Sequence, residues 1–192
     1  TVALIRKHKV LVERIAKTLS GKRLKHTIQV AFLAGKLALI HGQEPDKVIQ
    51  AALLHDLARE KSSEELLALA KESRWPINKV EIKLPMLLHG PVAAYLAGKD
   101  FKIKDKAILD AIRYHTTGSP IMTPTAKILF VADMVEPTRK YPGVKTLRDL
   151  AYEDLDESLL ACINHTIQYL LTERELIHPL SIEARNELLI GM

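Results

Sequence analysis

An adjacent His55-Asp56 pair interrupts the apolar run AALLHDLAR, isolated histidines stand at 26, 89 and 115, and Asp133 sits in FVADMVEP. Imidazole nitrogens and carboxylates are the ligands that intermediate divalent and trivalent metals accept. A charged aspartate within ALLHDLA is costly to bury unless a cation meets it. His26, His55, Asp56 and Asp133 are therefore candidate metal ligands. His89 in LLHGPVAAY and His115 in IRYHTTG fall at expected helix ends, where side chains face a cleft. They extend the set to six, enough for two metals sharing a bridging carboxylate such as Asp56. Four imidazoles favour iron, manganese or zinc over magnesium, which prefers oxygen. A lone histidine on an apolar face is more often a satisfied core residue. The coincidence of several with two apolar-flanked aspartates counts against that reading here.

Ligands so placed need rigid elements under them, and the periodicity supplies helices. Leu24, Ile28, Phe32, Gly35 and Leu39 recur at three- and four-residue steps over 22–40, one face of a helix. Residues 2–19 behave likewise and end at Ser20-Gly21, while His41-Gly42 closes the second helix. Pro45-Asp46 opens a third that carries Val48, Ala52 and His55. Ser62 or Ser63 caps a helix through Glu64 to Lys71, and Trp75-Pro76 breaks it. Further helices are expected at 91–98, 105–115, 124–135, 155–172 and 182–190, the last capped by Ser181. GSPIMTP at 118–124 and EPTRKYPGV at 136–144 read as loops. The expected fold is all-α, one helical bundle in a single domain over 1–192, with neither repeats nor a dividing linker.

The composition narrows the function. A hydrophobic fraction of 47% and a mean hydropathy of +0.02 suit a globular chain. No apolar run approaches the ~20 residues that span a bilayer. The first 19 residues spread their charges along a helical repeat and lack the apolar centre of a signal peptide. Cys162 is the only cysteine, so no intrachain disulfide forms and a reducing cytoplasm is the expected compartment. It reads as a small buried apolar residue. The net charge of +5 favours an anionic partner weakly. Dispersed basic residues and 5% aromatics argue against nucleic acid and fit a small phosphorylated ligand as well. His8 in a basic run, His41 at a helix C-terminus and His165 on a helix flank carry less weight.

The order His26, His55-Asp56, Asp133 resembles the pattern of the HD superfamily of metal-dependent phosphohydrolases. The fuller series HTIQVA, LLHDLA, LLHGPVAAYLA, AIRYHTTG, KILFVADMVEPTR, YPGV and IHPLSIEARN resembles the bacterial YqeK-type symmetrical diadenosine tetraphosphate hydrolases, over about residues 20–190. An HD pair alone is a weak signal; LLHGP, YHTTG and ADxxEPxR in order are specific. The resemblance implies an all-helical fold and a bound iron or related metal pair. It also implies cleavage of diadenosine tetraphosphate into two ADP molecules, and it carries the ligand roles to His26, His55, Asp56, His89, His115 and Asp133. Two departures stand out: Arg59-Glu60 after the HD pair, where relatives often have lysine, and TERELIHP, where a glycine is expected.

On that reading, metals acidify a water near neutral pH and neutralise charge on phosphoryl oxygens. Asp56, Arg59 and Arg139 are the catalytic candidates. Arg59 projects from the face of His55 and Asp56, with a surface ion pair to Glu60 or Glu64 as its competing role. Arg139, just past the Asp133 helix, is the stronger phosphate ligand. Leu176, Ile177, His178, Pro179, Leu180 and Ser181, with Arg185 one turn on, form a proline-stiffened segment able to hold a nucleoside edge through main-chain hydrogen bonds. Its competing role is an ordinary helix connector. The core is expected over about 20–140, with the C-terminal helices completing the nucleotide site. The expected partners are a dinucleoside polyphosphate and ADP or a related product; a homodimer is compatible with the sequence. Two other functions stay open: an HD phosphohydrolase acting on other nucleotides, and a non-catalytic metal-dependent nucleotide-binding factor.

Overall fold

The computed structural model describes residues 6–191. Among them are eleven α-helices, one 3-10 turn and no strand. They are α1 (Lys9–Ile15), α2 (Gly21–Ile40), α3 (Pro45–Leu54), α4 (Ser63–Glu72), α5 (Lys79–Lys83), the 3-10 turn Pro85–Leu88, α6 (His89–Phe101), α7 (Lys106–Tyr114), α8 (Pro124–Val135), α9 (Val144–Glu153), α10 (Leu155–Thr172) and α11 (Pro179–Gly191). The expected helix over 2–19 lies partly outside the described residues.

The longest helix, α2, starts where Ser20 accepts a hydrogen bond from the Arg23 amide, and Glu60 accepts from the amide and hydroxyl of Ser20. Its buried face runs Thr27, Val30, Ala31, Ala34, Leu37, Ala38, and packs along α3. The centre belongs to α8, entered at Pro124 behind the Thr123 cap. Six of its residues from Ile128 to Val135 are buried apolar side chains, which leaves only Asp133 and Met134 of that stretch partly exposed. It packs on α2, α3, α7, α9 and α10. One apolar helix thus holds Asp133 among candidate ligands brought by its neighbours.

Three differences from expectation have physical causes. First, α3 stops at Leu54, so His55 is its C-cap and Asp56 begins a series of tight turns. Second, α11 begins at Pro179, whose fixed φ suits the first helical position; Ser181 does not cap the helix but donates its hydroxyl to the Thr117 carbonyl at 2.8 Å. Third, α5, the 3-10 turn and α9 are additional. Only Leu147 and Ala151 of α9 are buried, a stripe too narrow to stand out from its charges.

The missing glycine of TERELIHP has a direct counterpart. The α10 terminus closes with the Glu175 amide on the Leu170 carbonyl at 2.8 Å, and Arg174 takes φ +57°. That is a left-handed conformation in which glycine carries no steric cost. The turn is kept, with arginine in the strained place.

Candidate metal centre

Three of the candidate histidines occupy one kind of position. His55 follows the last residue of α3, His89 that of the 3-10 turn and His115 that of α7. A helix end leaves carbonyls without intrahelical partners. Each ring uses one: His55 Nδ1 donates to Ala52 O at 2.6 Å, His89 Nδ1 to Met86 O at 2.6 Å and His115 Nδ1 to Ile112 O at 2.7 Å. With Nδ1 engaged as a donor, a neutral ring presents its Nε2 lone pair inward. His26 lies inside α2 and is oriented differently, with Nδ1 3.2 Å from Glu136 Oε1.

The Nε2 atoms converge on two carboxylates. His26 Nε2 lies 3.0 Å from Asp133 Oδ1 and 3.7 Å from Asp56 Oδ2. His55 Nε2 lies 3.4 Å from Asp56 Oδ2 and 4.0 Å from Asp133 Oδ1. His89 Nε2 approaches the other oxygen, Asp56 Oδ1, at 3.6 Å. Asp56 therefore turns one oxygen to each half of the cluster, the placement a bridging carboxylate needs. Ligand atoms gather in three overlapping groups, His26–His55–Asp56, His55–His115–Asp133 and Asp56–His89–His115, each within 4.8 Å.

These donors fit a cation. His89 and His115 bring Nε2 atoms within 3.0 Å of each other although each Nδ1 already donates. Two neutral rings so held would oppose lone pairs unless a positive centre intervened. The Nε2 atoms of His26 and His55 are buried and make no well-aligned hydrogen bond, although Asp133 Oδ1 and Asp56 Oδ2 stand 3.0 and 3.4 Å away. Such orphans are uncommon in native proteins and call for a ligand.

Electrostatics agree. Burial would raise the Asp56 carboxyl, but His55, His115 and His89 hold it below the ordinary range. Asp133 is likewise held ionised against burial, by His26, His55 and Arg139. Burial and the neighbouring rings push His115 down to about 3, and burial lowers His89. His26 is pushed down by burial but carried up to about 9 by Asp133 and Glu136. Its proton supplies positive charge that a metal ion would replace.

Several neighbours complete the site. Arg23, one turn before His26, donates to Asp56 Oδ2 at 2.8 Å. Arg139 donates through Nη2 to Asp133 Oδ1 at 2.7 Å and through Nε to the Asp133 carbonyl at 2.9 Å. Glu136 is 1% exposed and accepts from the Thr138 amide at 2.6 Å, which aims it at His26. Sequence reasoning missed Arg23 and Glu136, which stand three residues before His26 and three residues after Asp133. Arg59 pairs with neither Glu60 nor Glu64 among the described residues; it reaches Met86 Sδ at 2.7 Å and lines the cavity over the cluster. That cavity, about 260 Å³, is also lined by Arg23, Thr116, Thr166 and Arg139.

The segment 176–181 is not in that lining. Its His178 is buried, with Nε2 2.8 Å from the Asn78 side-chain nitrogen, and Leu176 is exposed. The segment reaches the metal side through Ser181 on Thr117, two residues past His115. Arg185 donates to Asn164 at 2.7 Å, tying α11 to α10.

Comparison with known proteins bears on this geometry. A family model described as HD domain matches residues 23–138, a stretch that contains all six candidate ligands. The chain is similar to the symmetrical bis(5'-nucleosyl)-tetraphosphatase of Bacillus subtilis (strain 168), with 36% identity over 177 residues covering 92% of this chain and 95% of the relative. It is also similar to that of Halalkalibacterium halodurans, with 36% identity over 174 residues covering 90% and 91%. A crystal structure described as a predicted HD superfamily hydrolase involved in NAD metabolism, from Clostridium acetobutylicum, matches with a TM-score of 0.93. That match has 34% identity and covers 96% of this chain and 98% of that one.

Proposed function

The chain belongs to the HD-domain family and, within it, to the symmetrical bis(5'-nucleosyl)-tetraphosphatases, and from that we infer that it hydrolyses diadenosine tetraphosphate to two ADP. The observation that carries the reading is the convergence of six histidine and aspartate side chains from the matched stretch in three overlapping groups that form one cluster. The other two functions, a different nucleotide phosphohydrolase and a non-catalytic binding factor, are not favoured by these relatives.

HD domains depend on divalent metals, and this donor set suits a pair. We propose iron, with manganese or zinc as the other ions that four imidazoles accept. His26, His55, Asp56, His89, His115 and Asp133 would hold it. When bound, such ions supply Lewis-acid stabilisation of phosphoryl oxygens and an acidified water nucleophile. The chain's own residues do the rest. The Nδ1 contacts to Ala52, Met86 and Ile112 fix each ring before metal or substrate arrives. Arg23, Arg59 and Arg139 line the cavity and can exchange or share their present partners with phosphate oxygens, so the tetraphosphate midpoint is drawn over the cluster. Water adds to one central phosphorus, the bond from that phosphorus to the bridging oxygen breaks, and ADP leaves as a stable phosphate anion. The site needs no strong acid for that departure. The reading takes the chain as one domain, with the core at about 20–140 holding metal and the segment 176–181 with Arg185 completing a nucleoside site beside Thr116 and Thr117.

The test is hydrolysis of diadenosine tetraphosphate by metal-reconstituted protein, with products separated by chromatography and bound metal measured by elemental analysis. ADP alone is the expected product. AMP with ATP would overturn the assignment even with the metals confirmed.

A further inference from the structure

The metal cavity is not the only space that Arg23 and Arg139 line. Both also wall a second cavity of about 570 Å³, whose remaining lining includes Lys22, Lys25, Lys140 and Tyr141. Among the described residues these three lysines form no ion pair, unlike Lys99 with Glu72 or Lys127 with Asp156. The one carboxylate in the wall, Glu136, is already engaged by His26 and Thr138. Three exposed lysines in the lining of one cavity, none with a carboxylate partner among the described residues, add positive charge there that no ion pair within the fold uses. A polyanion complements it. Tyr141 adds a fixed aromatic wall: its hydroxyl donates to the Met134 carbonyl at 2.8 Å, and its ring lies 4.8 Å from that of His165.

The substrate is symmetric about the bond that breaks, so two nucleoside diphosphate halves must leave the cluster in different directions. On the reading above, one half extends past Thr116 toward the segment 176–181. We propose that the lysine-lined cavity takes the other half, with Lys22, Lys25 and Lys140 on its phosphates and Tyr141 against its base. The shared arginines then sit at the junction of the halves, beside the scissile bond. This inference rests on the tetraphosphatase reading and assigns a second nucleoside diphosphate site to the basic cavity.

The experiment is calorimetric titration of ADP into the metal-loaded full chain, beside steady-state kinetics on diadenosine tetraphosphate. The wild type binds two ADP per chain. Lys22→Ala/Lys25→Ala/Lys140→Ala binds one, and its kcat/KM falls by about ten- to a hundredfold with a weaker dependence on salt, as expected for lost exposed phosphate contacts. The triple arginine variant, which keeps the charge, retains two. Circular dichroism and melting of the alanine variant are expected to match the wild type, since all three lysines are exposed. One ADP per wild-type chain, or two ADP with unchanged kcat/KM in the alanine variant, overturns the proposal. Two sites reduced to one, in a protein that does not cleave the dinucleotide, would instead uphold the cavity as a nucleoside diphosphate site and sink the tetraphosphatase reading.

Discussion

Glu136 holds His26 from behind, and it touches no other candidate ligand ring. Removing its charge while keeping its shape, Glu136→Gln, is expected to lower metal affinity or turnover by about ten- to a hundredfold, the range for an orienting partner of a ligand histidine. Metal titration followed by activity measures it; an unchanged affinity would make Glu136 purely a cap for Thr138. Asp56→Ala is expected to lose bound metal and nearly all hydrolysis while keeping its helical circular dichroism. Wild-type metal content in that variant would show that the cluster lies elsewhere. Cys162 gives a check of burial without metal. Burial carries its thiol up to about 12, so at pH 8 it should resist a thiol reagent in the native state and react once denaturant is added. At this scale the six candidate ligands could be picked out, and their convergence expected, because histidine and aspartate are conspicuous in apolar runs. Arg23 and Glu136 could not be, because charges near helix ends normally face water and only the fold shows what they meet.

Between elements, Gly90 marks a tight approach, since a Cβ there would stand 2.6 Å from the Arg113 carbonyl and 3.3 Å from that of Ile112. The second of these is the acceptor that orients His115. Glycine after His89 therefore lets α6 and α7 come close enough for the two Nε2 atoms to meet. Gly90→Ala should destabilise the fold by about 1–3 kcal/mol, as overpacking does, and reduce metal content at the His89–His115 side. Thermal melting and elemental analysis read the two effects. The reverse change suits the end of α10. Arg174→Gly should raise the melting temperature, since a side chain in the left-handed region costs roughly 1 kcal/mol; a lower value would assign Arg174 a contact of its own. Long helices with wide apolar stripes, α2, α8 and α10, could be read from periodicity. The short α5 and the narrow-striped α9 could not, because their stability comes from capping and from neighbours: Asn78 and Glu81 form a reciprocal cap on α5.

At the scale of the whole molecule, the candidate ligands run from His26 to Asp133, so the proposed metal site is complete only when α2, α3, the 3-10 turn, α7 and α8 are assembled. Metal binding should then raise the melting temperature in proportion to the logarithm of free metal, and a chelator should reverse it. A melting point indifferent to metal would mean that the folded cluster does not bind the ion more tightly than the unfolded chain does. The placement of three ligands at helix ends also determines where the chain can change its length. One residue added inside α3 or α7 would turn the following histidine by about 100° around the axis and move it 1.5 Å along it, out of reach of its partners. The connections at 118–123 and 136–143 carry no such phase, apart from the few residues that pack on the site. Inserting a single alanine after Ile108 should therefore abolish metal binding, whereas the same insertion beside the exposed Ile121 should be absorbed. In this protein, the lengths of the helices are under tighter constraint than the lengths of the loops between them.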